Sequence, residues 1–289
     1  MSASSTIPAR SAAQAPDVGP TEELPRLERR LGRAVGQAVA DFGMIAAGDR
    51  VLVALSGGKD SATLLELLLR LQRRAPVPFT LEAVNLDPGY ADYQPEVVRR
   101  FAESHGVRIH LLRAPVEQLV AEKLAPGQAA CPLCSRIRRG AFYTLARREG
   151  FTKLALGHHL DDLLETLLIN LFYAGTLRAM APALEPKDGP PTVIRPLCYA
   201  LERDIAAYAR ARQLPIIPCA SPHCAATDRR RQVIKRLLTS LEAEHPDLKL
   251  RMRKALTNVQ PATLLDPALL RLARDAGLPT AAQHGEDEP

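Results

Sequence analysis

The chain has no tryptophan, and aromatic residues make up only 4% of its 289 positions. That scarcity argues against a platform of stacked rings for unpaired bases. No run approaches the roughly 18 consecutive apolar residues needed to cross a bilayer, which argues against a membrane-spanning role. Residues 1–20, MSASSTIPARSAAQAPDVGP, are rich in Ala, Ser and Pro and have no apolar core, so they are expected to form a disordered tail and not a secretory signal. The expected location is the cytoplasm. Cysteine is sparse as well: five residues without an export signal do not make a disulfide framework, because the cytosol keeps thiols reduced. Metal or sulfur chemistry becomes the competing use for them.

What is present is the balance of a soluble globular protein, 46% hydrophobic and 24% charged, long enough for one large domain or a domain with a helical extension. The formal net charge is +6, and the positive residues cluster at Arg136, Arg138 and Arg139, at Arg147 and Arg148, at Arg229 to Arg231, and at Lys249, Arg251, Arg253 and Lys254. Taken singly, each cluster reads first as a solvated helix face. Together they suit a polyphosphate partner such as a folded RNA met through its shape and phosphates.

Apolar periodicity divides the chain. Residues 21–47 contain Leu24, Leu27, Leu31, Val35 and Val39 at spacings of three and four, an amphipathic helix expected to pack on the following domain. Residues 48–214 alternate strands and helices. Strands are predicted at 51–55, 79–87, 107–114, 152–157 and 192–199, and helices after the first strand to about 74 and then at 95–106, 115–124, 135–150, 160–174 and 200–214. Such βαβ units imply a parallel five-stranded Rossmann-like α/β sheet with helices on both faces. Residues 215–262 form a cysteine-containing loop and basic helices, and residues 263–289 a tail.

The stretch VALSGGKDSATLLELLL, residues 53–69, is a buried strand, a glycine turn and a helix. Ligands bind beyond the carboxyl ends of parallel strands, where Ser56 to Ser61 lie. Gly57 and Gly58 permit close approach to an anion, the helix start supplies free N–H groups, and Lys59 adds a full charge. The residues satisfy neither G-x-x-x-x-G-K-[ST] nor G-x-G-x-x-G, which excludes the common kinase and dehydrogenase loops. Asp161 and Asp162, in GHHLDDLLET, sit in the first turn of another helix and are candidate magnesium ligands beside a phosphate. A plain reading of that pair is stabilisation of the helix dipole, which accounts more readily for one carboxylate than for two.

CPLC, residues 131–134, puts two thiols in one turn, and Cys219 and Cys224 lie in the later loop. From spacing, a structural zinc site, a redox pair and an iron–sulfur site all remain open. Cys198, within the last predicted strand, reads as a small core residue.

SGGKDS resembles the PP-loop of the N-type ATP pyrophosphatases. By that resemblance, ATP is cleaved between its α and β phosphates and AMP is transferred to a carbonyl oxygen. Ser56, Gly57, Gly58, Lys59, Asp60 and Ser61 would hold the departing pyrophosphate, with Asp60 organising Mg2+. Asp87 would face adenine and ribose, and Gly157 and His158 the nucleotide, with His159 a further candidate for the α phosphate or substrate. CPLCSRIRRGAFY, LALGHHLDDLLETLLINLFYAG, VIRPLCY and LPIIPC together resemble the tRNA 2-thiocytidine synthetases, the TtcA family, over about residues 26–262. The resemblance implies a [4Fe-4S] cluster on Cys131, Cys134 and a third cysteine, aligned with Cys224. Cys219 is the substitute, since C-A-S-P-H-C is longer than the family's C-x-x-C, and His223 is a further candidate. It further implies Lys59, Asp60 and Asp161 as catalytic residues and cytidine 32 of tRNA as substrate. A sulfur donor such as a cysteine desulfurase and a homodimer are its other implications. Arg136, Arg138, Arg139, Arg229 and Arg230 are the candidate tRNA contacts. The rival readings are a related 2-thiouridine synthetase and a zinc-containing RNA-binding protein.

Overall fold

A computed structural model describes residues 20–123, 131–186, 188–217 and 229–277. The centre of the sheet is β1 (Arg50–Ala54), four of whose five residues are buried, as a strand covered on both faces requires. It pairs in parallel with β2 (Thr80–Asp87) on one side and β4 (Lys153–Ala155) on the other. β3 (Ile109–Arg113) extends the first side, and β6 (Thr192–Ile194) then β5 (Ala183–Leu184) the second, giving the order β3-β2-β1-β4-β6-β5. The sheet therefore has six strands, not the expected five. The extra one is a two-residue edge strand, antiparallel to β6, too short to leave any periodicity in the sequence.

Two apolar layers cover the sheet. On one face α1 (Pro20–Asp41) packs through Leu27, Leu31, Val35 and Ala38 against α2 (Lys59–Gln72), α7 (Glu202–Ala211) and the sheet, with α3 (Pro95–Ser104) in the same core. On the other, α4 (Val116–Lys123) and α5 (Cys131–Glu149) cover Leu52, Val84, Leu86 and Leu154. Helix α6 (Leu160–Ala174) carries Leu160 and Leu164 into a third cluster with Ile234 and Leu238 of α8 (Arg229–Glu244), beside α9 (Leu248–Leu256). No described helix is long and apolar enough to cross a membrane.

Three boundaries differ from expectation. Cys131 and Cys134 lie in the first turn of α5 and not in a turn preceding it, since a proline near a helix start costs no hydrogen bond. The strand expected at 192–199 ends at Ile194. Cys198 falls in the turn that follows, where it is 1% exposed and its thiol is pushed up to about 12 by burial. The stretch read as a tail from residue 263 contains α10 (Pro267–Asp275), capped by Asp266, which accepts from the N–H groups of Ala268 and Leu269. Cys219, His223 and Cys224 lie outside the described residues.

One buried network ties the helix leaving the glycine turn to its neighbours. Glu66 of α2, 5% exposed, accepts from the Tyr208 hydroxyl at 2.6 Å and from Arg212 at 3.1 Å, and meets His105 Nε2 at 3.1 Å. Burial alone would raise its carboxyl, but the Arg212 and Tyr208 hydrogen bonds hold it below the usual glutamate range. A lowered carboxyl stabilises the fold above the unfolded pKa and loses that contribution as pH falls through the folded one. Glu66→Gln should therefore cost roughly 1–3 kcal/mol at pH 7, nearer the low end because Arg212 is 40% exposed. The difference should shrink below about pH 4, as read by urea unfolding at both pH values.

Candidate active site

The chain reverses direction across the sheet between β1 and β4, because β2 and β3 lie on one side of β1 and β4 and β6 on the other. Open α/β sheets bind ligands at such a switch point. Here the turn after β4, residues 156–159, lies against the start of α2, the helix that leaves the turn after β1, residues 55–58. A Cβ added at Gly157 would sit 3.1 Å from the backbone carbon of Asp60 and the nitrogen of Ser61.

The first turn is held by its own serines. The N–H of Ser56 donates to Ser61 Oγ at 3.1 Å, Ser61 Oγ donates to the Gly58 carbonyl at 3.0 Å, and the two hydroxyls are 3.2 Å apart. Gly57 has φ +85, a conformation only glycine adopts freely, and its carbonyl accepts from Ile217 N–H at 2.8 Å. Helix α2 begins at Lys59 with its N–H groups facing the turn. Asn85, 1% exposed, donates to the Leu55 carbonyl at 2.7 Å and bonds the Tyr93 hydroxyl at 2.6 Å, which couples the ends of β1 and β2. Asp87 ends β2 and accepts from Gly89 N–H at 2.8 Å.

A cleft of about 320 Å³ opens between this turn, the start of α6, the start of α7 and α8. Lys59, Asp60, Asp162, Glu202, Arg231 and Lys235 are among its lining residues. Lys59 Nζ lies 3.0 Å from Asp60 Oδ1 and 3.2 Å from Glu202 Oε1. Burial alone would lower its pKa, but the two carboxylates raise it, so it remains a cation at neutral pH. Glu202 is likewise opposed by burial and is held down at about 2 by Lys235 and Lys59. Lys235 Nζ is 2.9 Å from it. His158 is pushed down to about 4 by burial, against the pull of Asp162, and Arg195 Nε donates to its Nδ1 at 3.1 Å. The ring is thus neutral, with its proton on Nε2.

The sequence pairs Asp161 with Asp162 as magnesium ligands; the structure gives them different partners. Asp161, 4% exposed, accepts from the Glu202 N–H at 2.7 Å and lies 2.7 Å from Lys249 Nζ. It does not line the cleft, because adjacent residues on a helix diverge by about 100° and only one of the two can face it. Asp162 does line it, accepting from the His159 N–H at 3.1 Å and from Arg231 at 3.2 Å. The described residues contain no group of three or more His, Cys, Asp or Glu able to hold a metal ion. Asp60 Oδ1 is buried and has no aligned hydrogen-bond donor, its near neighbour being the Lys59 ammonium at 3.0 Å.

The cysteine helix flanks the same sheet end. Cys134 and Ile137 pack on the apolar layer of α4 and α5, Arg138 acts electrostatically on Tyr93, and Arg139 on Arg195. Arg136 and Arg139 are exposed. At the opposite edge Arg229 and Arg230 are exposed, and the Arg230 guanidinium lies 5.3 Å over the Tyr173 ring. Ile217, just before segment 218–228, donates its N–H to the Gly57 carbonyl, and Arg231, three residues beyond the segment, meets Asp162. Glu202, Arg231, Lys235, Arg195 and Asn85 were not legible as site residues in the sequence. Only the RRR run at 229–231 marked one of them as unusual.

The tight contact at Gly157 gives a direct check. Gly157→Ala must displace the Asp60–Ser61 backbone by a few tenths of an ångström, costing about 1–3 kcal/mol, and thermal unfolding should show the loss.

Residues 26–240 match the PP-loop domain family. The chain is 50% identical over 248 residues to a tRNA-cytidine(32) 2-sulfurtransferase of Marinobacter nauticus, covering 86% of this chain and 82% of that one. It is 48% identical over 244 residues to that of Geobacter sulfurreducens, covering 84% and 95%. Among solved structures it is similar to the U34-tRNA thiolase NcsA from Methanococcus maripaludis with its [4Fe-4S] cluster. That likeness has a TM-score of 0.65 over 91% of this chain and 84% of the other, and at 20% identity it speaks to the fold alone. With its phosphate-sized turn at the β1/β4 switch point and about half its residues shared with these relatives along most of their length, the chain belongs to the PP-loop family and, within it, to the tRNA-cytidine(32) 2-sulfurtransferases.

Proposed function

We propose that this enzyme adenylates the C2 oxygen of cytidine 32 in a tRNA anticodon loop and replaces that oxygen by sulfur, giving 2-thiocytidine, AMP and pyrophosphate. The observation that carries the proposal is the cleft itself. It sets the charged lysine of a glycine turn against Asp162, Glu202 and the α8 residues Arg231 and Lys235, and α8 follows directly on the segment bearing Cys219 and Cys224.

The cytidine C2 oxygen is a poor leaving group. Its attack on the α phosphate of ATP breaks the α–β phosphoanhydride and makes it part of AMP, which sulfur then displaces. In this reading the turn from Ser56 to Ser61 receives the pyrophosphate on the N–H groups of α2 and the two serine hydroxyls, and Lys59 neutralises it. Asp87 and the Asn85–Tyr93 pair shape the end of β2 for adenine and ribose. His158, neutral and donating from Nε2, together with the Gly157 backbone, faces the α phosphate. Arg231 and Lys235 add positive charge on the α8 side of the cleft.

Mg2+ fits Asp60 and Asp162 together with the nucleotide phosphates, since magnesium needs only one or two carboxylates when phosphates and water complete its shell. Asp161, occupied by Lys249 and the Glu202 N–H, is better suited to fixing α7 and α9 around the cleft than to catalysis. Cys131 and Cys134, three residues apart in the first turn of α5, would hold two corners of a cluster, with Cys224 as third ligand. When bound, a [4Fe-4S] cluster there supplies an open iron position for the incoming sulfur. Arg136, Arg138 and Arg139 would hold tRNA on one side of the cleft and Arg229 and Arg230 on the other. A cysteine desulfurase is the expected source of sulfur, and a homodimer is the proposed assembly in the cytoplasm.

The test is protein purified without oxygen and incubated with ATP, a sulfur source and unmodified tRNA, followed by nucleoside analysis. Wild-type protein should form 2-thiocytidine, and a strain lacking the gene should be without it. Lys59→Met should slow AMP formation by about 10²–10³-fold, the usual cost of one preorganised charge at a reacting phosphate. Cys134→Ser should lose iron and 2-thiocytidine while still binding nucleotide. Stoichiometric zinc with unchanged tRNA nucleosides would overturn the proposal.

A further inference from the structure

A second concavity, of about 540 Å³, lies between α1, α7 and α9. Its walls carry six arginines, Arg26, Arg29, Arg30 and Arg33 from α1, Arg203 from α7 and Arg253 from α9. Helix α1 shows why they converge. Leu27, Leu31 and Val35 are 1–2% exposed and face the core, which leaves positions 26, 29, 30 and 33, spaced by one turn, on the outer stripe. Arg26, Arg29, Arg30 and Arg33 all reach solvent there.

Only part of this charge is neutralised within the fold. Arg30 pairs with Asp204 at 2.6 Å and Arg203 with Glu242 at 2.8 Å, while Arg253 lies 4.8 Å over the Tyr199 ring. Among the described residues Arg29 and Arg33 have no ion-pair partner, although two guanidinium groups one turn apart on a helix repel each other. That repulsion is small in water, and the uncompensated charge it leaves at the surface complements a polyanion. Arginine forks match phosphate oxygens, and a stacked arginine beside a tyrosine presents an edge to the same ligand.

The groove adjoins the cleft. The first turn of α7 separates them, with Glu202 in the cleft and Arg203 and Asp204 in the groove. A chain of contacts runs between them through Asp161, which lies behind the cleft: Asp161 accepts from the Glu202 N–H and holds Lys249, Lys249 holds Glu242 at 2.6 Å, and Glu242 holds Arg203.

We infer that the α1–α7–α9 groove binds the sugar–phosphate backbone of the tRNA whose cytidine enters the cleft, at a surface separate from the arginines of α5 and α8. This rests on the reading of the cleft given above. The groove sets orientation and affinity without reading sequence, as phosphate contacts do.

The test measures tRNA affinity across salt concentration for wild type, R29Q/R33Q and R29E/R33E, with affinity for a non-hydrolysable ATP analogue as a control. Neutralisation should lower the slope of log K against log salt by about 1 for each phosphate that the groove no longer neutralises, and charge reversal should weaken binding further, with nucleotide affinity unchanged. In the unmutated protein, tRNA should also protect Arg29 and Arg33 from phenylglyoxal, a readout that needs no variant to fold. If wild type binds tRNA and both variants match it in affinity and slope, the groove proposal falls while the reading of the cleft stands. If wild type neither binds tRNA nor forms 2-thiocytidine, both fall. A variant that changes oligomeric state at constant tRNA affinity would mark the groove as a protein contact and overturn the inference.

Discussion

The contact between Gly157 and the Asp60–Ser61 backbone is the constraint around which the site is built. It exists because β1 is central and pairs with both β2 and β4, so that two turns far apart in sequence leave the sheet side by side. Any side chain at 157 would push them apart. The closeness places His159 and Asp162 against Lys59 and Asp60, and α8 then closes the remaining side through Arg231 and Lys235.

Charge in the cleft is balanced rather than uniformly positive. Lys59 lies between Asp60 and Glu202, and Glu202 is shared with Lys235, so each ion is kept charged by its neighbours against the cost of partial burial. The same reasoning separates Asp161 from Asp162. One is committed to Lys249 and the α7 backbone, and the other faces the open cleft.

Positive charge beyond the cleft falls on three surfaces. α5 carries it next to the cysteine pair, α8 next to Asp162, and α1 with α7 and α9 around the separate groove. A substrate as large as a tRNA can touch several of these at once, each contact adding to affinity by displacing counterions.

SGGKDS was legible because everything it needs is local: glycines for the turn, serines to brace it and a helix start to face an anion. The helical spacing of α1, the βαβ alternation and the core positions were legible for a similar reason, as periodicity reports burial directly. The two-residue strand β5, the helical start at Cys131 and helix α10 were not, since short or terminal elements take their form from neighbours. Glu202, Arg231, Lys235 and Arg195 reach the site from far along the chain, and apart from the RRR run that includes Arg231 no local pattern marks them. Residue types and spacing thus determined the fold class and the phosphate turn. Tertiary structure alone decided which of two adjacent aspartates faces the cleft and which arginines stand together without a partner, because burial and pairing depend on what packs against a residue and not on what precedes it.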